Sequence, residues 1–173
     1  MAQYKVAFIA KSEPNTQLVE EQLAGLDYEL QVRICDSEGE TIEAVKGADL
    51  IIDWQVPLPR SVIQEIDKAT AIVSLGHGFD RIDHNAATDH SVMVVNSAGF
   101  CTEEVSNHTI MLLLACAKEL SQLNSVVKAG RWGPDIRPSL SRLVPIDGQT
   151  LGLIGFGNIA RATARKAKVF GLE

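Results

Sequence analysis

Residues 4–35 read YKVAFIAKSEPNTQLVEEQLAGLDYELQVRIC, in which an apolar run, a helical stretch and a second strand-like run follow one another. Strands that are covered on both faces of a parallel sheet have such near-continuous apolar runs. A strand, a helix and a strand joined by short connections predict parallel pairing through a right-handed crossover. This segment therefore predicts an open α/β architecture.

The same alternation continues to about residue 97. Further strands are predicted at 50–54, 71–75 and 92–95, and helices at 14–26, 41–46, 60–68 and 82–89. Ser37 and Glu40 have the spacing of a capping box ahead of the second of these helices. Residues 1–97 therefore predict a complete α/β domain with a flavodoxin-like, five-stranded parallel open sheet.

The pattern changes after residue 97. Thr102 is expected to cap a helix over 103–128, with Glu103 and Glu104 in its first turn. The middle of this helix is apolar almost all round, so it must be buried in a core or against a partner. Residues 131–147 predict a long loop, residues 150–154 a strand, and residues 158–170 a final helix.

Composition excludes several classes of function. The 173 residues carry 16 Lys and Arg against 22 Asp and Glu, and the resulting net charge of −6 argues against a nucleic-acid partner. The longest uncharged apolar run, residues 110–117, is too short to cross a bilayer, and the N-terminus lacks a secretory signal. The three cysteines have no metal-ligand spacing, so we expect a cytoplasmic protein with reduced thiols and no metal site.

The strongest motif is Gly155-Phe156-Gly157-Asn158-Ile159-Ala160, which lies between a predicted strand and a predicted helix. Gly155 permits a tight turn, and Gly157 allows a pyrophosphate to approach the backbone. The N–H groups of Asn158 and Ile159 at the helix N-terminus suit phosphate oxygens. The motif indicates a dinucleotide site, and the alternative is a tight structural turn.

A second glycine motif, Gly76-His77-Gly78, follows the fourth predicted strand. Open α/β sheets bind ligands at the carboxyl ends of their strands, and successive N–H groups in such a loop form a nest for a small carboxylate. A turn that needs positive φ at both glycines explains the motif equally well.

A family resemblance covers most of the chain and is strongest from about 70 to 171. Its motifs are SLGHGFDRIDHNAATDHSVMVVNSAGFCTEEVSNHTIMLLLACAKEL, then AGRW, then GQTLGLIGFGNIARATARKAKVFGL. The sequence resembles the D-isomer-specific 2-hydroxyacid dehydrogenases, in the branch that contains phosphoglycerate dehydrogenase and the C-terminal binding proteins. It departs from them at Ser91, Ala98 and Ser106-Asn107, where the family usually has Gly, Pro and Ala followed by an acidic residue.

The resemblance implies an enzyme that reduces a 2-keto acid with NADH. Residues 1–97 would form its substrate-side domain, and residues 98–173 would begin a Rossmann domain for NAD, with only its first βα unit present. Gly76, His77 and Gly78 would hold the substrate carboxylate, and Gly155, Gly157, Asn158 and Ile159 would bind the cofactor.

The resemblance also bears on activity and assembly. The family's catalytic Arg, Glu and His would lie beyond residue 173, so we assign no catalytic residue and expect little or no turnover by this chain. We expect a homodimer through the helix over 103–128 and the C-terminal segment. The alternative is a naturally short, non-catalytic binding or self-association protein that kept the dehydrogenase fold.

Overall fold

The computed structural model describes residues 3–136, 140 and 143–173. The chain divides into two compact units, Met1–Ala98 and Gly99–Glu173. Each contains one of the two tryptophans: Trp54 is half-buried in the first unit, and Trp132 is exposed in the second.

The first unit is a parallel sheet with helical connections. Its strands are β1 Tyr4–Ala10, β2 Tyr28–Ile34, β3 Leu50–Trp54, β4 Ala71–Ser74 and β5 Met93–Asn96, and its helices are α1 Gln17–Leu23, α2 Glu38–Val45, α3 Arg60–Ile63 and α4 His84–Asp89. The strand order is β2-β1-β3-β4-β5, and every neighbouring pair is parallel. The predicted flavodoxin-like sheet is confirmed.

β1 is central to the packing of this sheet because both of its faces are covered. Alternate side chains of a strand point to opposite faces. Ala7 and Ile9 belong to a large apolar cluster on one face, whereas Val6 and Phe8 belong to a second cluster on the other. The apolar run that predicted the strand is therefore buried from Val6 to Ala10.

The helices differ from the predictions mainly in length. The Ser37 hydroxyl accepts from Glu40 N–H and the Glu40 carboxylate accepts from Ser37 N–H, which confirms the capping box. α2 consequently begins at Glu38. α1 and α3 are shorter than predicted.

In the described residues of the second unit, the structure gives the bounds of three α-helices and one 3-10 helix. These are α5 Thr102–Ala117, α6 Leu120–Lys128, the 3-10 turn Gly133–Ile136 and α7 Asn158–Val169. The 3-10 turn lies within the predicted loop over 131–147, of which residues 137–139, 141 and 142 lie outside the described residues.

The single helix predicted over 103–128 is wrong, because the chain bends by 60° between α5 and α6. Glu119 at the bend has a left-handed backbone with φ of 48°, which a continuous α-helix does not accommodate. The predicted cap is also wrong: Thr102 is the first helical residue, and Cys101 precedes it without a capping side-chain hydrogen bond. Within the described residues no single helix is long and apolar enough to span a membrane. Only α5 and α6 taken together, despite the bend, have the length and apolar composition of such a span.

The strand predicted over 150–154 is also not formed in the described part of the chain. A strand requires a row of main-chain bonds to a neighbour. Here three main-chain bonds join residues 148–151 to residues 171–173: Gly148 N–H to the Gly171 carbonyl at 2.7 Å, Glu173 N–H to the Gln149 carbonyl at 2.9 Å and Leu151 N–H to the Glu173 carbonyl at 2.8 Å. The described residues show no such bond for 152–154. The segment runs without regular structure into the glycine motif.

Lys166 joins α7 to the first turns of α5. Its Nζ lies 2.9 Å from Glu103 Oε2 and 2.6 Å from Asn107 Oδ1, and it also contacts the buried Ser106 hydroxyl. This ion pair lowers the pKa of the Glu103 carboxyl, chiefly through the hydrogen bond from Lys166. The departure from the family at Ser106-Asn107 thus supplies two of the partners of Lys166.

Candidate functional site

The Gly76–Gly78 loop lies at the carboxyl edge of the sheet, where β4 ends next to β5. Two of its carbonyl groups are held by the last residue of β5 and by the residue that follows it. Ser97 N–H donates to the Gly76 carbonyl at 2.9 Å, and Asn96 Nδ2 donates to the His77 carbonyl at 2.7 Å. Two successive peptide groups are therefore fixed with their oxygens toward the end of β5.

This orientation determines where the loop presents its donors. In a trans peptide the C=O and N–H bonds point in opposite directions. The N–H groups of His77 and Gly78 consequently point away from the end of β5. Among the described residues neither N–H group has an acceptor. Two adjacent free donors of this kind form a nest for an anionic oxygen.

The glycines of this loop are not explained by backbone strain. Neither Gly76 nor Gly78 has a positive φ, so the expectation of a turn that needs the left-handed region at both is wrong. A Cβ at Gly76 would meet no atom within 4 Å, and one at Gly78 would lie at ordinary contact distance, 3.4 Å, from Asp80 Oδ2. The chain itself therefore does not require glycine at position 76, whose missing side chain leaves open space beside the free N–H groups.

Asp53, at the carboxyl end of β3, is a residue that the sequence reasoning did not identify as part of this edge. It is only 1% exposed. Its Oδ1 accepts from Val56 N–H at 2.8 Å, and its Oδ2 accepts from the Ser74 hydroxyl at 3.3 Å. Its main-chain carbonyl accepts from Leu75 N–H at 2.8 Å. The only signal in the sequence was that an acidic residue interrupts an apolar strand, where a buried carboxyl group is rare.

Burial raises the pKa of the Asp53 carboxyl, and the bonds from Val56 N–H and the Ser74 hydroxyl, with the charge of Arg81, offset this only in part. A carboxyl whose pKa is raised by folding stabilises the folded state while protonated, and that contribution is lost as pH rises through the folded-state pKa. We expect the free energy of unfolding of the wild type to fall, relative to that of Asp53→Asn, as the pH rises above about 4, the ordinary pKa of an aspartate. Urea titrations of both proteins across that range measure the difference, and a constant difference would contradict the pKa direction.

In the second unit, the glycine motif forms a sharp turn into α7. Gly155 has φ of 84°, in the left-handed region that only glycine adopts without cost. Gly157 precedes the helix with an extended backbone, and a Cβ on either glycine would meet no atom within 4 Å. Arg161 braces the turn from the helix, because its Nε donates to the Phe156 carbonyl at 3.0 Å and its guanidinium lies 5.7 Å from the centre of the Phe156 ring.

The N-terminus of α7 has no side-chain cap. The first intrahelical bond runs from Arg161 N–H to the Gly157 carbonyl at 3.0 Å. The preceding N–H groups, including those of Asn158 and Ile159, therefore have no partner within the helix. These donors and the open space over the two glycines suit a phosphate group, and the positive end of the helix dipole adds to that preference.

A family model for "D-isomer specific 2-hydroxyacid dehydrogenase, catalytic domain" matches residues 6–169. The chain belongs to this family. Among its curated relatives, a glyoxylate reductase from Korarchaeum cryptofilum is 31% identical over 133 residues, which are 76% of this chain and 40% of the relative. A D-3-phosphoglycerate dehydrogenase from Methanocaldococcus jannaschii is 32% identical over 146 residues, 84% of this chain and 27% of the relative.

Solved structures show the same fold as this member of the dehydrogenase family. An acyclic imino acid reductase solved in complex with NADPH and D-Arg has a TM-score of 0.83 at 24% identity, covering 97% of this chain and 54% of that structure. The chain thus spans less than half the length of the two curated relatives and about half of this solved structure.

The remaining polar residues of this dehydrogenase-family chain form no second centre in its described part. No group of three or more His, Cys, Asp or Glu side chains is placed to hold a metal ion there. His84 packs edge-on to the ring of Phe79, with 6.2 Å between ring centres, and Cys35 is buried with its thiol pKa raised by that burial.

Proposed function

We propose that this chain provides the substrate-side domain and the first nucleotide-binding element of an NAD-dependent D-2-hydroxyacid dehydrogenase. The observation that carries the proposal is the pair of free N–H groups at His77 and Gly78, aimed away from β5 beside the open space at Gly76. Two adjacent donors match the two oxygens of a carboxylate. A small 2-keto acid is the substrate class that combines such a carboxylate with a reducible carbonyl.

The turn at the N-terminus of α7 is the proposed site for the pyrophosphate of NAD. The residues present fit this group, since Gly155 and Gly157 leave open space and the N–H groups of Asn158 and Ile159 have no intrahelical partner. The structurally similar imino acid reductase, which was solved with NADPH bound, also supports a nicotinamide cofactor. When bound, this cofactor would supply the hydride.

The residues of this chain are proposed to bind and orient rather than to transfer a proton. The loop at Gly76 would hold the keto acid by its carboxylate, and the turn at Gly157 would hold the cofactor. The proton donor and the arginine that polarises the keto group would come from residues outside this sequence. We expect no steady turnover of glyoxylate or hydroxypyruvate with NADH by the 173-residue chain, and measurable turnover would contradict this assignment.

We also propose that the chain is cytoplasmic and forms a homodimer through α5, α6 and the C-terminal segment. Exposed apolar side chains on the two helices support the dimer, and they include Met111, Leu112, Leu120 and Val127. The same surface favours the second candidate function, a non-catalytic self-association protein with the dehydrogenase fold. Binding of neither a keto acid nor NADH by a clean dimer would favour that second candidate.

Substitution of Gly76 tests the proposed carboxylate site. Gly76→Val is expected to weaken binding of oxamate, a stable 2-keto acid analogue, by about tenfold, because the new side chain would occupy the open space beside the donors. The fold should tolerate it, since φ at Gly76 is not positive. Calorimetric titration of wild type and variant measures the loss.

Gly39→Val is the matched control for this experiment. Gly39 lies in α2 of the same unit, and a Cβ there would also meet no atom within 4 Å. It should leave oxamate affinity unchanged. Equal affinity of the wild type and the Gly76 variant, or no binding to the wild type, would overturn the proposed carboxylate site.

A further inference from the structure

Asp53 connects the ends of two neighbouring strands at the edge that carries the proposed carboxylate site. One of its carboxylate oxygens holds the turn after β3 through Val56 N–H, and the other holds the end of β4 through the Ser74 hydroxyl. Asp53 and Ser74 are register partners in the β3–β4 ladder, so the second bond runs directly between the strands. Ser74 stands two residues before Gly76.

A buried carboxylate is costly unless its oxygens are satisfied, and here each oxygen has one donor. A purely apolar strand would pack this position at lower cost. The turn that Asp53 holds contains Gln55, whose φ of 67° is unusual for a residue with a side chain. Strained backbone persists where the surrounding structure over-determines it. Asp53 holds the start of this turn through its main-chain carbonyl, which accepts from Leu75 N–H, and the end of the turn through its side chain, which accepts from Val56 N–H.

We propose that Asp53 is a positioning residue that fixes the Ser74–Gly78 segment, so that the N–H groups of His77 and Gly78 stay aligned for a substrate carboxylate. The alignment has two supports: Asn96 and Ser97 hold the loop carbonyls, and Asp53 holds the strand end from which the loop departs. This inference rests on the proposed function for its ligand. Asp53 itself does not touch the substrate.

Amide hydrogen exchange and oxamate titration of the 173-residue chain test the role of Asp53. Asp53→Ala is expected to raise exchange at Leu75 and Gly76, whose N–H groups are hydrogen-bonded, and to weaken oxamate binding about fivefold, the equivalent of one lost hydrogen bond. Asp53→Asn retains an oxygen acceptor for Val56 N–H, so exchange and oxamate affinity in this variant should lie between those of Asp53→Ala and the wild type. Ser74→Ala, which leaves the Asp53–Val56 bond intact, should raise exchange at Leu75 and Gly76 alone.

Asp49→Ala is the control for a general loss of stability. Asp49 immediately precedes β3 at the opposite edge of the sheet, and its carboxylate also accepts a main-chain bond, from Lys5 N–H at 2.8 Å. This variant should destabilise the first unit and leave exchange at Leu75 and Gly76 and oxamate affinity unchanged.

Three outcomes are decisive. The positioning role is overturned if Asp49→Ala and Asp53→Ala raise exchange at Leu75 and Gly76 equally, or if Asp53→Ala alters neither exchange nor affinity. A selective rise in exchange at Leu75 and Gly76 in Asp53→Ala, with no oxamate binding by the wild type, supports the positioning of the strand end by Asp53 and overturns the proposed carboxylate site instead.

Discussion

Gly171→Ala is expected to lower the free energy of unfolding of the second unit by about 3 kcal/mol. Gly171 follows α7 with φ of 78°, where a side chain adds strain. A Cβ at this position would overlap Asp147 Oδ1 and lie 2.9 Å from Asp147 Cγ and 3.2 Å from its Cα. The Asp147 side chain can rotate away from the new methyl group, but its Cα belongs to the backbone and cannot. The Gly148 N–H bond to the Gly171 carbonyl, at 2.7 Å, holds the two segments together.

Gly130→Ala is the matched control for this substitution. Gly130 follows α6 in the same way, with φ of 73°, but a Cβ there would meet no atom within 4 Å. Its free energy of unfolding should therefore fall only by the backbone strain of about 1–2 kcal/mol. Urea unfolding with amide exchange of α7 as the readout compares the two variants, and equal destabilisation would show that Asp147 is not in contact with Gly171.

Gly157→Val is expected to weaken NADH binding by about thirtyfold, because phosphate oxygens would lose close approach to the backbone donors. The protein has no steric reason to reject valine there. Gly157 has φ of −80° and ψ of −166°, which is extended backbone, and a Cβ would meet no atom within 4 Å. Loss of affinity without loss of stability is therefore the expected signature. Titration of NADH into wild type and variant, with unfolding curves for both, measures the two effects.

Gly152→Val provides the comparison, because Gly152 lies just outside the turn and its Cβ would also have open space. It should bind NADH as the wild type does. If Gly157→Val binds NADH with wild-type affinity, the turn is not part of the cofactor site. If the wild type does not bind NADH, the 173-residue chain has no cofactor site of its own.

The sequence predicted the sheet well because each strand carries its own signal. Apolar runs at 4–10 and 50–54 bury both faces of their strands, and Ser37 with Glu40 satisfies the start of α2 locally. The bend between α5 and α6 carried no such signal. Lys118 and Glu119 are ordinary helix formers, so these residues do not predict the left-handed φ found at Glu119.

The two glycine motifs show the same limit at the candidate site. The sequence indicated both positions, but the reason for glycine at Gly76 was open until the backbone angles showed no left-handed turn. The strand expected before Gly155 depends on a neighbouring strand, which the local sequence does not encode. Asp53 was missed because its role depends on the β3–β4 register, a relation between distant segments of the chain.

The placement of the tryptophans gives each unit its own optical reporter. Trp54 ends β3, immediately after Asp53 and half-buried in the first unit, whereas Trp132 is exposed in the second. Replacing either one by phenylalanine would leave an emission signal from the other unit alone. The emission of the variant that keeps Trp54 should shift to longer wavelength when the sheet unfolds. Coincident unfolding transitions of the two variants would show that the units unfold cooperatively, and separate transitions would show that they unfold independently.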